Sequence, residues 1–202
     1  EQIFFRWYGK SYAKVLACFT RFFVQNEQSR DLLASIGFTN VSVTGDTRFD
    51  RVLQIQQACK HLPLVENFVQ GKSLFVAGSS WSPDEDVFVP FFNQQSDWKM
   101  VIAPHVVSEE HLQQIEQRVK GCCVRYSKAT TETVAEADCL LVDCYGLLSS
   151  VYHYADVAYV GGGFGVGIHN VLEAAVWGVP VVFGPNNQRF QEAQELLTAG
   201  GG

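Results

Sequence analysis

The chain has 202 residues, 47% of them hydrophobic and 18% charged, a balance that excludes disorder and low complexity and permits a real core. Domains commonly run to about 100–200 residues, so this length admits one large domain, or one domain with part of another. A formal net charge of −6 argues against broad binding to nucleic acid, which needs clustered Lys and Arg, and the lack of any run of about 18 apolar residues argues against insertion in a membrane.

The chain opens at Glu1 without an initiator Met, inside an apparent helical pattern, and stops at Gly200, Gly201 and Gly202 after a last helix. It therefore reads as a fragment. From Phe4 to about Phe19 the pattern is aromatic and helical, with Arg6, Lys10 and Lys14 at i, i+4 steps and so expected on one face, flanked by Phe4, Phe5, Trp7, Tyr8 and Tyr12. Such a stripe suits either anionic lipid or plain solvent. Arg21 to Gln25 reads as a short strand, Glu27 to Ser35 as a helix ended by Gly37, and Val41 to Thr44 as another strand. A helix from about Asp46 to Cys59 follows, and Pro63 with the residues around Gly71 marks a boundary.

Beyond the boundary the alternation is regular. Ser73 to Ser79 is a strand, Asp84 to Gln94 a helix, Trp98 to Pro104 a strand, Ser108 to Lys120 a helix and Cys122 to Ser127 a strand. The remaining strands are Cys139 to Cys144, Val157 to Gly162 and Pro180 to Pro185, with helices near Leu147 to Tyr154 and from about His169 to Trp177. Short apolar strands alternating with amphipathic helices are the signature of a Rossmann-like, doubly wound parallel sheet covered on both faces, here of five or six strands. The six cysteines have neither C-x-x-C spacing nor suitably placed histidines, and read as buried free thiols.

Ligands of open parallel sheets bind beyond the carboxyl ends of the strands, and the residues there are small and polar: Gly78, Ser79, Ser80 and Trp81, then Pro104 and His105, then Asp143 to Gly146, then Gly161 to Gly167. Glycines ahead of a helix let backbone amides approach a phosphate, with the helix dipole in support. His169, Asn170 and Glu173 are expected on the first turn of that helix, where the carboxylate can accept two hydroxyl hydrogens and the amide can donate and accept. Asn170 as a helix cap with Glu173 as its capping-box partner is the structural alternative. A dinucleotide fingerprint needs its glycines after the first strand and an acid about 20 residues later, whereas these glycines lie near the end of the chain.

The run from Val160 to Pro185, in the pattern GG…G-x-HN-x-x-E-A…GVPV-x-FGP, resembles the C-terminal nucleotide-sugar domain of the bacterial Kdo (3-deoxy-D-manno-octulosonic acid) transferases, glycosyltransferases of GT-B fold. FFVQNEQSRDLLASIGFTNVSVTGDTRFDRV is similar to the end of that family's N-terminal domain and linker, and AGSSWSPDED, IAPH and LLVDCYG to successive loops of the C-terminal domain, so the resemblance runs from about Phe22 onward. It implies residues 1–50 as the tail of the N-terminal acceptor domain and 51–202 as the donor domain, truncated at its C-terminus. It further implies transfer of Kdo from CMP-Kdo to a lipid A precursor, without metal or cofactor, at the cytoplasmic face of the inner membrane.

By the same resemblance Ser79 and Ser80 lie near the donor phosphate, while Gly146, Gly161, Gly162, Gly163, Asn170 and Glu173 hold the CMP moiety. His105 stands where the family usually shows Arg before His, and Leu147 replaces a usual Glu; Arg offers a fixed bidentate fork and a permanent charge that His lacks. The family's catalytic carboxylate belongs to an early N-terminal region absent here, so the fragment is expected to be inactive, with Asp143 or Glu173 as a weaker candidate base. The alternatives are another GT-B enzyme using a UDP-sugar, either a transferase or an epimerase, and a non-catalytic nucleotide-binding domain.

Overall fold

In the computed structural model, residues 2–6, 9–165 and 167–202 are described. Trp7 and Tyr8 of the aromatic segment, Val166 of the glycine loop and the side chain of Lys10 lie outside them. The chain divides into two compact units, Glu1–Arg51 and Val52–Gly202.

The first unit opens with a single 3-10 turn, Ile3–Phe5, and then holds α1 (Lys10–Leu16), β1 (Phe22–Val24), α2 (Glu27–Ser35), β2 (Val41–Val43) and the start of α3 (Thr47–Gln57). β1 and β2 pair in parallel, as strand-helix-strand connection requires. Asn26 caps α2 by accepting the Ser29 N–H at 2.8 Å, and Gly37, at φ +95°, ends it while Phe38 N–H closes back on the Leu33 carbonyl. The continuous helix expected over Phe4 to Phe19 is broken. Gly9 precedes α1, and any Cβ there would overlap the Ile3 carbonyl, so only glycine lets the opening turn fold back. Arg6 is extended, at φ −89° and ψ 150°, and so does not share a helical stripe with Lys10 and Lys14.

The second unit continues with α4 (Pro63–Val69), β3 (Ser73–Ser80), α5 (Ser82–Phe92), β4 (Trp98–Pro104), α6 (Glu109–Arg118) and β5 (Cys123–Arg125). After these come α7 (Thr131–Glu136), β6 (Cys139–Leu141), α8 (Leu148–Val151), β7 (Val157–Val160), α9 (Leu172–Ala175), β8 (Val181–Phe183) and α10 (Gln191–Thr198). α4 occupies the place read as a boundary, because Pro63 starts a helix rather than ending one. The six strands lie in the order β5-β6-β4-β3-β7-β8 and every pair is parallel.

Alternation along β3 assigns the two faces. Leu74 and Val76 join the layer that packs α4, α7, α8, α9 and α10, whereas Phe75 and Ala77 join the layer that packs α5 and α6. Both layers are closed to solvent at the centre, with Val76, Val101, Leu140, Ile102 and Leu141 fully buried. The cysteines are free as expected, but only Cys139 is buried; Cys18 and Cys122 are exposed.

Gly78 marks where the sheet accepts its closest neighbour. A Cβ there would strike the Tyr152 hydroxyl, with Leu148 at 2.8 Å, and Tyr152 itself is only 2% exposed. Gly78→Ala is expected to cost about 1–3 kcal/mol through overpacking, measured as a lowered urea midpoint at unchanged slope.

Candidate functional site

The chain leaves β3 toward β4 on one side, and leaves β7 toward β8 on the other. β3 and β7 are neighbours, so the loops after them flank the topological switch point, where open α/β sheets bind ligands. These are the Ser79–Trp81 and Gly161–Gly167 segments.

The β3 end is irregular. The pairing register with β4 shifts between Gly78 and Ser80, and Ser79 takes a left-handed φ of +53°, which a non-glycine residue adopts only when its surroundings enforce it. Gly161 supplies the matching concession, because a Cβ on it would overlap the Ser79 carbonyl. The bulge turns the two serines apart. Ser79 lines a cavity of about 160 Å3 with His105, Leu148, Tyr152, Val160, His169, Asn170 and Glu173, whereas Ser80 is fully buried and donates its hydroxyl to Glu85 at 2.9 Å. Glu85 in turn receives His111 at 3.1 Å and Arg118 at 3.6 Å.

Asp84 holds the two loops together. Only 1% exposed, it accepts the Trp81 and Gly162 N–H groups on Oδ2, both at 2.9 Å, and the Tyr159 hydroxyl on Oδ1 at 2.7 Å. Burial, and after it the adjacent Asp84 carboxylate, push the Tyr159 phenol well above its ordinary range. The glycine loop is also pressed against the loop after β8: a Cβ on Gly163 would come within 2.5 Å of Gly184, and Gly163 accepts the Asn186 N–H at 2.9 Å.

Three rings stand over this clasp. His105 packs against two rings, Trp81 with centroids 4.6 Å apart and His169 with centroids 4.3 Å apart. The Trp81 indole N–H points at His169 Nε2 at 3.1 Å. An indole nitrogen can only donate, so His169 Nε2 must accept, which makes His169 the neutral Nδ1–H tautomer. Burial in first place, and the neighbouring His105, hold its pKa below the usual imidazole value against the pull of Asp84. A second cavity of about 140 Å3 is lined by Trp81, Pro83, Asp84, Gly162 and Gly165.

The helix expected from His169 to Trp177 shrinks to the single turn α9. His169 and Asn170 therefore precede it, and the dipole support expected from a long helix is reduced to that of one turn. His169 N–H is spent on the Gly161 carbonyl, which draws the segment across the sheet end. Asn170 Oδ1 accepts the Leu172 N–H at 3.2 Å and its amide donates to Glu173 Oε1 at 3.1 Å. Asn170 and Glu173 thus share one cavity wall as a mutually bonded pair.

Gly146, at φ +83°, sits in the loop after β6; Leu148, two residues on, is the one that lines the cavity. Gly161 and Gly163 shape the backbone without lining either cavity. Asp143 is occupied by Ser127, whose N–H it accepts at 2.9 Å along with the hydroxyl. Sequence reasoning missed Asp84 and Tyr152 as site residues. Asp84 carries a local signal, an acid three residues beyond the start of a helix that follows a strand; Tyr152 carries none, since only folding brings its ring beneath β3. Among the described residues no group of three or more His, Cys, Asp or Glu side chains is placed to hold a metal ion, and no helix is long and apolar enough to cross a membrane.

No family model matches the chain. Over 189 residues it is 29% identical to a 3-deoxy-D-manno-octulosonic acid transferase of Chlamydophila psittaci, with 90% of this chain and 43% of the relative covered. The chain spans less than half the length of that and other curated relatives of the same name. Among solved structures it resembles the C-terminal CMP-Kdo binding domain of WaaA from Acinetobacter baumannii, at a TM-score of 0.55 and 23% identity over 75% of this chain and 77% of that one. It also resembles a putative UDP-N-acetylglucosamine 2-epimerase of Listeria monocytogenes, at a TM-score of 0.51 and 17% identity over 87% of this chain and 50% of that one. The chain is a homologue of the Kdo transferases and has the α/β fold, with a six-stranded parallel sheet, of GT-B C-terminal domains.

Asp84→Asn replaces one accepting oxygen by an amide that opposes the N–H groups it meets. It is expected to cost about 1–3 kcal/mol and to raise the hydrogen-exchange rate of the Gly162 amide while leaving that of β4 amides unchanged, as read by exchange mass spectrometry.

Proposed function

We propose that this chain carries the donor half of an enzyme that moves Kdo from CMP-Kdo to a lipid A precursor. Homology to Kdo transferases across most of the chain carries the reading. The lining of one cavity at the switch point by Ser79, His105, Asn170 and Glu173 supports it.

In this reading the loops after β3 and β7 hold the nucleotide. The Gly162 amide is committed to Asp84, whereas the amides of Gly163 and Phe164 have no hydrogen-bond partner among the described residues, leaving them as donors to a phosphate. Asn170 and Glu173 take the hydroxyls of the ribose or sugar, with Glu173 as acceptor and Asn170 orienting it. The phosphate becomes the leaving group's charge as the sugar departs, so fixed donors here lower the barrier to transfer. The base that deprotonates the acceptor hydroxyl comes from an N-terminal region outside these 202 residues, and the chain alone does not turn over. Ser80, buried on Glu85, acts by shaping the loop, and Gly146 gives the loop after β6 its left-handed turn. The lipid acceptor sets the working place at the cytoplasmic face of the inner membrane, by peripheral contact.

The epimerase likeness favours one competing reading, a site for a UDP-sugar. Calorimetric titration separates the two. CMP is expected to bind at least about tenfold more tightly than UMP, UDP or ADP, a difference of about 1.4 kcal/mol, and Asn170→Ala with Glu173→Ala is expected to abolish it. Preference for UDP would transfer the chain to the competing reading.

A further inference from the structure

The lining of the 160 Å3 cavity contains no lysine or arginine. A nucleotide phosphate needs positive charge or several donors around it, and the cavity offers two ring candidates, His105 and His169. They are not equivalent. His169 Nε2 receives the Trp81 indole N–H, and protonating that nitrogen would set two donors against each other at 3.1 Å. The burial of His169 opposes its charging as well. His105 is exposed, its ring nitrogens have no hydrogen-bond partner among the described residues, and its own backbone N–H is anchored on the Ser80 carbonyl at 2.9 Å. Its ring stacks on Trp81 and on His169, with interplanar angles of 28° and 23°. An indole face favours a cation above it, so the stack fixes the ring in place and tolerates its charge from the Trp81 side.

We propose that His105 supplies the positive charge that meets the nucleotide's phosphate, so that binding takes up a proton and weakens as pH rises. The inference rests on the nucleotide-binding reading above and adds to it a proton-linked control of affinity.

Among the described residues, the titratable groups around His105 and the rings stacked on it come from four elements. From the start of α5 comes Asp84, buried and saturated by three donors. The loop after β7 contributes His169, held neutral by the indole. From α9 comes Glu173, bonded to Asn170, and from the turn after α8 comes Tyr152, whose phenol burial keeps protonated across the neutral range. Glu173 adds negative charge to the same wall, so an anionic ligand meets net repulsion whenever His105 is neutral. The sign follows from linkage: where the bound state holds one more proton than the free state, affinity is greatest at low pH and is lost as pH rises through the imidazole range, about 6.5.

The test uses cytidine 5′-methylphosphate, a diester whose single charge is constant near neutrality, unlike a phosphomonoester with a second pKa of about 6. Calorimetric titrations run from about pH 5.5 to 8.5, across the imidazole range, in two buffers of different ionisation heat to count protons. Affinity is expected to fall by up to about tenfold for each pH unit, the limit for one linked proton, with close to one proton taken up at the alkaline end. His105→Arg is expected to bind at every pH with a flat profile, and His105→Ala to bind weakly with a flat profile. Cytidine, lacking the phosphate, should show no pH dependence.

A flat profile in the unsubstituted chain overturns the proposal even if the diester binds well and the nucleotide reading stands. A sloping profile that survives in His105→Arg overturns it too, and moves the proton to another group. Arg189, exposed in the loop after β8, is an alternative cation; if Arg189→Ala abolishes a flat-profile interaction, the phosphate belongs to Arg189. Failure of the diester to bind at any pH overturns both readings. A uridine diester bound equally well with the same slope overturns only the base selectivity, and retains the linkage.

Discussion

One buried carboxylate ties the working end of the sheet together. Asp84 joins its own helix start to Gly162, 78 residues on, and to Tyr159, 75 residues on. A carboxylate taken out of water is costly unless its lone pairs are satisfied, and here three donors converge on two oxygens. The cost becomes a constraint, because the glycine loop can occupy only the position in which those donors remain aimed. The positive φ of Ser79, the missing Cβ of Gly161 and the packing of Gly163 on Gly184 all follow from drawing the loops that close.

What the clasp positions is chemically asymmetric. The same cavity is lined by Asn170 and Glu173, a polar pair suited to hydroxyls, and by the rings of His105 and His169, with Trp81 packed on His105. Close contact of two imidazoles lets at most one be charged without strong repulsion, and the indole N–H decides which. Several fixed cations are committed elsewhere: Arg118 and Arg125 are spent on carboxylates around α6, and Lys99 lies on the Phe68 ring with its ammonium on the Ala135 carbonyl. In the proposed reading, the charge offered to a ligand at this cavity comes from the His105 ring rather than from a permanent guanidinium fork.

The two units differ in how far they stand alone. The second closes two apolar layers around a six-stranded sheet. The first has two short strands, leaves Phe23 69% exposed and Phe19 55% exposed, and has few buried side chains, which is the condition of a sheet too small to cover itself.

The sequence by itself determined the parallel α/β class, the positions of the main strands and the polar character of the segments after them. Those are local properties: runs such as Trp98–Pro104 are apolar but for Lys99 because both faces of a parallel sheet are covered, and Asn26 and Gly37 write the ends of α2 in their own backbone preferences. Its failures were also local. The aromatic run around Gly9 has helical periodicity but lacks an unbroken helix, and the segment from His169 spends its first amide on Gly161 instead of on a helical turn. Tertiary structure alone decided that β7 lies beside β3, that Tyr152 fills the space next to Gly78, and that His105 comes to rest against both Trp81 and His169. Periodicity reports which face of an element is buried, while the partners across a sheet end depend on strand order and crossovers, which no short window of residues encodes.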